Sequence, residues 1–348
     1  MKTMPFIKIA ILFVLAVGLC SCSPQSATAP ANTNLPTALS VAQPGASATQ
    51  LPTTLPTASP TSQPSPTASI PPATLEFDHN ISGDPNPFSM AANLALDANG
   101  DIYVLDGGNG RVQVYDHSGK FINMWGSQGS GDGQFNLLVH EAVTSVIGGI
   151  VVDKNKHVYV GDGLNARIQE FDSRGNFLMK WGSHGSNDGQ FLSVVDLALD
   201  AQGNIYAVDE NRDDIQKFDP QGKFILKFGE EGAGPGQLTD TGDITIGPDG
   251  NLYIADYGNN RIEVFSLDGK YLRQWHTPVL KVVDIAIDSH GNIFTTHKSG
   301  DIVEYDPTGK PISIMANIGL DSPRGIVIGP DGLIYIADNK GIEVFREK

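Results

Sequence analysis

Cysteine is almost absent from this 348-residue chain. Its two cysteines, Cys20 and Cys22, both lie within the first 22 residues. The remainder therefore has no disulfide, no thiolate metal ligand and no cysteine nucleophile, and its fold must depend on its own packed core. Basic residues are also scarce, 23 against 39 acidic ones, which gives a net charge of −16. A chain this acidic, without a basic stripe, is not expected to bind nucleic acid.

Charged residues are missing altogether between residues 23 and 72. This segment consists almost entirely of Pro, Thr, Ser, Ala and Gln. Such a composition cannot bury enough apolar surface to offset the entropy of ordering the chain. We therefore predict a disordered linker at 23–72, which would act as a tether, and a folded domain at 73–348.

The first 22 residues resemble a bacterial lipoprotein signal peptide. Lys2 and Lys8 accompany an apolar run at 9–19, which is too short for a comfortable membrane span. Cys22 follows Ser21 and is the predicted lipidation site, whereas Cys20 follows Leu19 directly and fits less well. The alternative is an ordinary cleaved signal. The lipoprotein interpretation predicts a protein of the cell envelope that faces away from the cytoplasm and reaches the membrane only through its lipid anchor.

One short motif recurs six times in the rest of the chain. The copies are LALDANGDIY (94–103), IVVDKNKHVY (150–159), LALDAQGNIY (197–206), ITIGPDGNLY (244–253), IAIDSHGNIF (285–294) and IVIGPDGLIY (326–335). Their aromatic residues are 41 to 56 residues apart, a spacing typical of four-stranded propeller blades. Apolar positions alternate with a period of two, and the Asn-Gly and Asp-Gly pairs favour hairpin turns. We predict an all-β, six-bladed β-propeller.

The two ends of the repeat region complement each other. The sixth copy stops after its third strand, at 345–348, and lacks an outer strand. The segment at 74–78, before the first copy, has the pattern of an outer strand. We expect this N-terminal strand to close the sixth blade, which would leave no unpaired edge at the seam of the ring.

The best copy of the repeat reads PDGNLYIADYGNNRIEVF at 248–265, and glycine-rich loops such as GSGDGQF at 129–135 accompany it. These elements resemble NHL repeats, and the resemblance covers the whole predicted domain. It implies a six-bladed ring but no particular reaction, because proteins with such rings include binding scaffolds as well as lyases and lactonases.

Three Asp–Arg pairs recur across the loop that follows the second strand of a blade. They are Asp106/Arg111, Asp162/Arg167 and Asp256/Arg261. These loops define the top face of the predicted ring, so the pairs could hold a ligand there. Repetition instead favours a structural clamp within each blade, since a functional site would break the symmetry. The other blades depart from the pattern, with Asp209 and a displaced Arg212, with His297 and Asp301, and with Asp338 alone.

The residues just before the innermost strands should converge at the mouth of the central channel, because those strands surround its axis. They are Asn93, Gly149, Asp196, Asp243, Asp284 and Gly325. Clustered carboxylates repel one another unless they are protonated or bridged by a cation, and oxygen ligands suit Ca²⁺ or Mg²⁺. Some six-bladed lactonases, which this arrangement resembles, hold a metal there. Asp196, Asp243 and Asp284 are therefore candidate Ca²⁺ ligands, and the alternative is three side chains that cap strand starts in water.

Histidines supply the candidate proton-transfer groups. His184, His276 and His297 are expected toward the top face, and His140 and Glu141 lie in the longest insertion, 136–148. Histidine can transfer protons or bind zinc. No pair has metal-ligand spacing within one element, so scattered surface histidines are the simpler interpretation. His184 and His297 remain the catalytic candidates.

Two functions of different classes follow from these residues. The first is a tethered, monomeric, non-catalytic propeller that binds a protein, peptide or glycan on its top face, with the insertion at 136–148 as a contact loop. The second is a Ca²⁺- or Zn²⁺-dependent hydrolase or lyase with its site at the top of the channel. The sequence has no Gly-x-Ser-x-Gly, phosphate loop, dinucleotide fingerprint or His-Glu-x-x-His motif, and this favours the first function. A purely structural envelope component has the same sequence signature as the binding module.

Overall fold

Six sheets arranged around a common axis make up the structure, a computed structural model that describes residues 70, 75–137 and 148–348. Its 24 strands form six four-stranded antiparallel sheets. The innermost strands of successive sheets contact one another in turn, and the sixth contacts the first. The predicted six-bladed β-propeller is therefore confirmed. The predicted signal peptide, Cys22 and all of the predicted linker except Ile70 lie outside the described residues, as do His140 and Glu141.

Each of the first three blades follows the chain from the innermost to the outermost strand. Blade 1 contains β2 (Ala91–Leu96), β3 (Ile102–Asp106), β4 (Arg111–Tyr115) and β5 (Phe121–Trp125). Blade 2 contains β6 (Ile150–Val152), β7 (Val158–Asp162), β8 (Arg167–Phe171) and β9 (Phe177–Trp181). Blade 3 contains β10 (Val194–Leu199), β11 (Ile205–Asp209), β12 (Asp214–Phe218) and β13 (Phe224–Phe228).

The remaining blades repeat this order, except at the seam. Blade 4 contains β14 (Thr241–Ile246), β15 (Asn251–Asp256), β16 (Arg261–Ser266) and β17 (Tyr271–His276). Blade 5 contains β18 (Val282–Ile287), β19 (Ile293–His297), β20 (Ile302–Tyr305) and β21 (Pro311–Met315). Blade 6 contains β22 (Gly325–Ile328), β23 (Ile334–Asp338) and β24 (Gly341–Glu347), with β1 (Leu75–Ile81) as its outer strand.

The N-terminal strand closes the ring as predicted. β1 pairs antiparallel with β24, from Leu75 opposite Glu347 to Ile81 opposite Ile342. It extends beyond the predicted 74–78 because pairing resumes at His79 after a register shift that follows Phe77. The described part of the chain contains two helices, the single 3-10 turns Gly107–Asn109 and Gly163–Asn165, and neither is long enough to span a membrane.

Aspartate and glycine build the hairpin turns at the bottom of the ring. In blade 3 the Asp200 carboxylate accepts backbone hydrogen bonds from Gln202 at 3.0 Å and Asn204 at 2.8 Å. The turn then requires a left-handed residue, which Gly203 supplies with a φ of +85°. The aspartate side chain therefore satisfies backbone N–H groups of the turn, where the chain reverses and strand pairing is interrupted.

Aromatic side chains fill the spaces between neighbouring blades. Between blades 1 and 2, the ring centroids of Trp125 and Phe171 are 5.9 Å apart, and those of Phe135 and Phe171 are 5.6 Å apart. Phe135 and Phe171 are fully buried. Because each space is filled by residues from two blades, the blades cannot be stable independently.

The innermost strands are longer than the sequence indicates. Pairing continues toward the top past a β-bulge in blades 1, 3, 4 and 5, where the residues skipped by the register are Ala92, Val195, Gly242 and Val283. The predicted channel-mouth positions in these blades thus lie within the strands rather than before them. A bulge re-aims the neighbouring side chains, and this displacement matters for the site at the channel mouth.

Candidate functional site

Three aspartates line the channel below its top opening. Asp196, Asp243 and Asp284 each occupy the third position of an innermost strand, β10, β14 and β18, immediately after the bulge. Their residues are only 3%, 7% and 5% exposed. The structure therefore brings the three predicted residues together, but in a more buried setting than strand caps in water would have.

Backbone N–H groups and one side-chain amide donate hydrogen bonds to the carboxyl oxygens of this cluster. Asn93 Nδ2 donates to Asp196 Oδ1 at 2.9 Å, and the Ile244 N–H donates to Asp196 Oδ2 at 3.1 Å. The Ile285 N–H is shared between Asp243 Oδ2 at 2.8 Å and Asp284 Oδ1 at 2.7 Å. Asp196 is thus tied to β14 and Asp243 to β18, whereas Asp284 accepts from its own strand.

Burial raises the pKa of Asp196 and of Asp284 well above the usual range of a carboxyl. The neighbouring charge of Asp243 and a hydrogen bond to it raise both values further. A protonated carboxyl can donate to a carboxylate, so Asp196 and Asp284 can each share a proton with Asp243. Proton sharing removes the repulsion that would otherwise require a cation.

The cluster does not fit a calcium centre. Within 75–137 and 148–348, no group of three or more His, Cys, Asp or Glu side chains is arranged to hold a metal ion. Four of the six carboxyl oxygens already accept N–H donors, and Ca²⁺ needs six to eight oxygen ligands. The geometry therefore gives no support to the prediction that Asp196, Asp243 and Asp284 bind Ca²⁺.

Two cavities meet at this cluster. The upper one has a volume of about 340 Å³ and opens among the top loops, and the lower one, of about 260 Å³, is lined mainly by apolar residues of the innermost strands. Asn93, Asp243 and Asp284 border both cavities. They form the floor of the upper cavity.

The walls of the upper cavity carry charges of opposite sign. Glu210 from blade 3 and Asp240 from the start of blade 4 supply the acidic residues, whereas Lys298 from blade 5 and Arg324 from the start of blade 6 supply the basic ones. Tyr257 also lines the cavity. None of these five residues was expected at the site from the sequence.

A signal for them was present in the repeat. The residue after each second strand is Gly107, Gly163, Glu210, Tyr257, Lys298 or Asn339, so this position varies widely in an otherwise regular unit. The residue at the bulge position or its equivalent is Ala92, Gly148, Val195, Gly242, Val283 or Arg324. All six residues at this bulge position line the upper cavity. Only the one in blade 6, Arg324, is charged.

Each charged wall contains a side chain whose charge or hydrogen-bond donors are not fully paired within the protein. Burial raises the pKa of Glu210, and the nearby carboxylates of Asp240, Asp213 and Asp209 raise it further. On the other wall, Arg324 Nη2 donates to Asn339 Oδ1 at 2.8 Å. Its Nε and Nη1 are shielded from solvent and have no hydrogen-bond partner among the described residues.

The Asp–Arg pairs, which we call clamps, form ion pairs within a blade, and their further contacts reach beyond it. Arg261 Nε lies 2.6 Å from Asp256 Oδ2, and the equivalent contacts of the other two pairs are 2.8 Å for Asp106/Arg111 and 2.7 Å for Asp162/Arg167. The guanidinium groups also donate to backbone carbonyls of the loop that enters the blade, as Arg167 does to Gly131 and Gln134. Each clamp thus fixes the connection between one blade and the next.

Blade 3 shows that the clamp tolerates displacement. Arg212 donates to the Gln190 carbonyl at 2.9 Å, so it reaches the entering loop from a different position, and it pairs with Asp214 at 2.7 Å. In blade 6 the Asp338 carboxylate accepts the backbone N–H groups of Asp321 at 3.0 Å and Lys340 at 2.7 Å. Backbone donors replace the missing arginine there.

The histidine candidates do not meet at the channel. His297 is fully buried at the end of β19, where its Nε2 lies 2.9 Å from Thr295 Oγ1, and burial lowers its pKa to about 4. His184 and His276 are exposed, the first on the loop after β9 and the second at the end of β17. None of the three lines the upper cavity.

Comparisons with known proteins agree with this geometry. A family model described as a 6-bladed beta-propeller matches residues 200–302, and the NHL repeat model matches residues 88–115. The chain is a six-bladed β-propeller, and its residues 88–115 match the NHL repeat. Human NHL repeat-containing protein 3 is 30% identical to this propeller over 130 residues, which are 33% of the chain. The match spans about a third of the human protein's length, 35%.

Several solved structures share the propeller fold. A streptogramin B lyase has a TM-score of 0.56 at 16% identity, with 79% of this chain and 98% of the other covered. A gluconolactonase from Xanthomonas campestris has a TM-score of 0.59 at 14% identity, with 82% and 99% covered. Virginiamycin B lyase from Staphylococcus aureus has a TM-score of 0.54 at 13% identity, with 79% and 89% covered. At such identities the likeness establishes the fold alone.

Proposed function

We propose that this protein is a binding module of the cell envelope that uses the top face of its propeller to hold a protein, peptide or glycan. The observation that carries the proposal is the upper cavity, where Glu210, Lys298 and Arg324 interrupt a repeated frame. Repeated residues maintain the fold in every blade, so residues that differ only at the cavity are better explained by a ligand than by stability.

A non-catalytic role accounts for the cavity more simply than hydrolysis or lysis does. The channel-mouth carboxyls are tied to backbone N–H groups and do not fit a metal centre. The candidate bases His184 and His297 do not line the cavity. A general acid or base must come within hydrogen-bond reach of the reacting group, so the metal-dependent enzyme is the less favoured function.

A matched pair of lysine variants tests the binding role. Lys298 lies on the wall of the upper cavity, whereas Lys223 is exposed in a bottom turn of blade 3. In affinity capture from an envelope extract, Lys298→Ala should lose most of any partner captured by the wild-type chain, and Lys223→Ala should retain it. Equal capture by both variants would place binding elsewhere than the top face and contradict the proposal.

Serine variants of two neighbouring cysteines test the proposed tether. We propose that Cys22 carries the lipid and that 23–72 holds the propeller away from the membrane, because Cys22 follows a signal-like run and the linker is uncharged. Cys22→Ser should move the protein from the membrane fraction to the soluble fraction and abolish fatty-acid labelling. Cys20→Ser should stay attached and labelled. Release by both variants, or by neither, would argue for an ordinary signal or a different anchor.

A further inference from the structure

The distribution of charge in the upper cavity suggests the kind of ligand it takes. We propose that this cavity binds a small zwitterion of the class of an unblocked short peptide, with its ammonium group at Glu210 and Asp240 and its carboxylate at Arg324 and Lys298. The inference rests on the proposed binding function and specifies its ligand. It is carried by four independent features of the cavity.

The first feature is the position of the two walls. Glu210 follows the second strand of blade 3, and Arg324 precedes the first strand of blade 6. Blades 3 and 6 face each other across a six-bladed ring, so the acidic and basic walls lie on opposite sides of the channel mouth. A ligand that satisfies both must carry opposite charges at its two ends.

The second feature is the arginine itself. The five equivalent positions hold glycine, alanine or valine, so the fold does not require a guanidinium there. Arg324 leaves Nε and Nη1 without partners within the described part of the chain. Leaving such donors unpaired is costly. A ligand carboxylate that reaches this guanidinium would form a charge-assisted hydrogen bond with it.

The third feature is an unpaired hydroxyl next to Asp240 on the acidic wall. Thr241 is 1% exposed and lines the upper cavity, and its Oγ1 has no partner among the residues that the structure describes. A hydroxyl can both donate and accept. The peptide group between the ends of a short peptide offers such a hydroxyl both a donor and an acceptor.

The fourth feature is the size and lining of the space. About 340 Å³ is within the range of small-ligand sites. Tyr257 forms one side, and the Lys281 ammonium lies 4.3 Å from its ring centroid, which fixes the ring in place. A ligand with charge of one sign only would meet repulsion from either the acidic or the basic wall. A zwitterion alone finds attraction at both.

The experiment uses the full chain and chemically blocked peptides. A pool of unblocked tripeptides, the same pool acetylated at the amino end and the same pool amidated at the carboxyl end are compared by thermal shift and calorimetry. We expect the unblocked pool to stabilise the protein in a concentration-dependent manner. Each block removes one charge-assisted contact and should weaken binding about tenfold or more. Equal shifts for all three pools, or none for the unblocked pool, would overturn the inference.

Variants then assign each end of the peptide to a wall. Arg324→Met should bind the unblocked and carboxyl-amidated pools equally well, and Glu210→Gln should no longer distinguish the unblocked from the acetylated pool. Arg174→Met in an exposed bottom turn and Glu76→Gln on the exposed outer strand are the matched controls and should behave as wild type. If the variants retain the wild-type preference for free ends, the zwitterion does not bind between these walls and the inference is wrong.

The same data separate this inference from the proposed function. If tripeptides fail to bind while Lys298→Ala still loses a captured partner, the top face is a binding surface but its ligand is not a zwitterion. If tripeptides fail and Lys298→Ala captures as well as Lys223→Ala, both the inference and the proposed function are wrong.

Discussion

The clamp at Arg261 gives the sharpest test of how the propeller is held together. Arg261 is 1% exposed and donates through Nε to Asp256 and through Nη1 and Nη2 to the carbonyls of Ala233 and Gly234. Glu263 Oε1 lies 3.1 Å from the same guanidinium. Arg261→Ala would therefore leave two buried carboxylates without their cation and free the loop that enters blade 4.

The size of the loss follows from those contacts. Breaking a buried ion pair by removing one partner costs about 3–5 kcal/mol, because the remaining charge stays buried and unpaired. Domains of this kind unfold with about 5–15 kcal/mol, so Arg261→Ala should remove a large part of the free energy of unfolding. Arg111→Ala is the matched control. Its guanidinium is partly exposed and faces one carboxylate, and we expect a loss of about 1–2 kcal/mol.

The cost at Arg261 should also depend on pH. Burial raises the pKa of Glu263 to about 7, against the opposing charge of Arg261. A raised native pKa means that the folded state binds the proton more tightly, so stability falls as pH rises from the ordinary glutamate pKa through that value. Without Arg261 the native pKa rises further, and the penalty of Arg261→Ala should be larger at pH 8 than at pH 5.

Urea denaturation followed by tryptophan fluorescence measures these differences. The double variant Arg261→Ala/Glu263→Gln should recover part of the lost free energy of unfolding, since it removes one of the two buried carboxylates left without a cation. A smaller loss of stability for Arg261→Ala than for Arg111→Ala, or a penalty that is unchanged between pH 5 and pH 8, would show that buried charge at Arg261 does not hold the blade.

Three further predictions concern the channel mouth. Asp284→Asn keeps the acceptor for the Ile285 N–H and places a donor toward Asp243. It should raise stability at pH 8 by about 1 kcal/mol or more and have little effect below about pH 3, where the wild-type carboxyl is protonated in the unfolded as well as the folded state. A pH-independent change in the free energy of unfolding, measured by urea denaturation, would contradict shared protons. Addition of Ca²⁺ or chelator should leave the melting temperature within about 1 °C, whereas a rise with Ca²⁺ that Asp284→Asn abolishes would restore the metal hypothesis. Gly149→Ala would bring a Cβ within 2.3 Å of Asp196 Oδ1 and should cost about 1–3 kcal/mol, while Gly325→Ala, whose nearest contact would be 3.2 Å from Asn93 Cα, should cost clearly less in the same assay.

Much of the fold could be predicted because local and long-range signals agree in each repeat. The turn pairs, the period-two alternation and the repeat length all indicate one four-stranded unit, and the missing strand after Phe345 indicates the closure by β1. The length of the innermost strands could not be predicted in the same way. Strand pairing continues past a bulge at Ala92 and its equivalents, and a bulge depends on the partner strand rather than on local propensity.

The site could be predicted only in part, for a related reason. Convergence of Asp196, Asp243 and Asp284 follows from the symmetry of the ring. Their proton sharing does not, because it depends on how deeply the surrounding strands bury the carboxyls and on the hydrogen bonds to Asp243, and the N–H donors at Ile244 and Ile285 oppose it by lowering the pKa of Asp196 and Asp284. Glu210 and Arg324 escaped notice because a search for repeated residues passes over those that differ. In a repeat protein, the informative residues for ligand binding are the exceptions to the pattern.

The closure of blade 6 by β1 determines where mechanical load enters the molecule. Leu75 lies opposite Glu347, so both ends of the folded chain leave the ring at the same point on its rim. A pull through the residues before Leu75 would be borne first by the hydrogen bonds between β1 and β24, and peeling β1 away would expose the edge of β24. The remaining blades would be loaded only after that seam had opened, and a circular permutant that joins the two ends would place this weak point elsewhere on the rim.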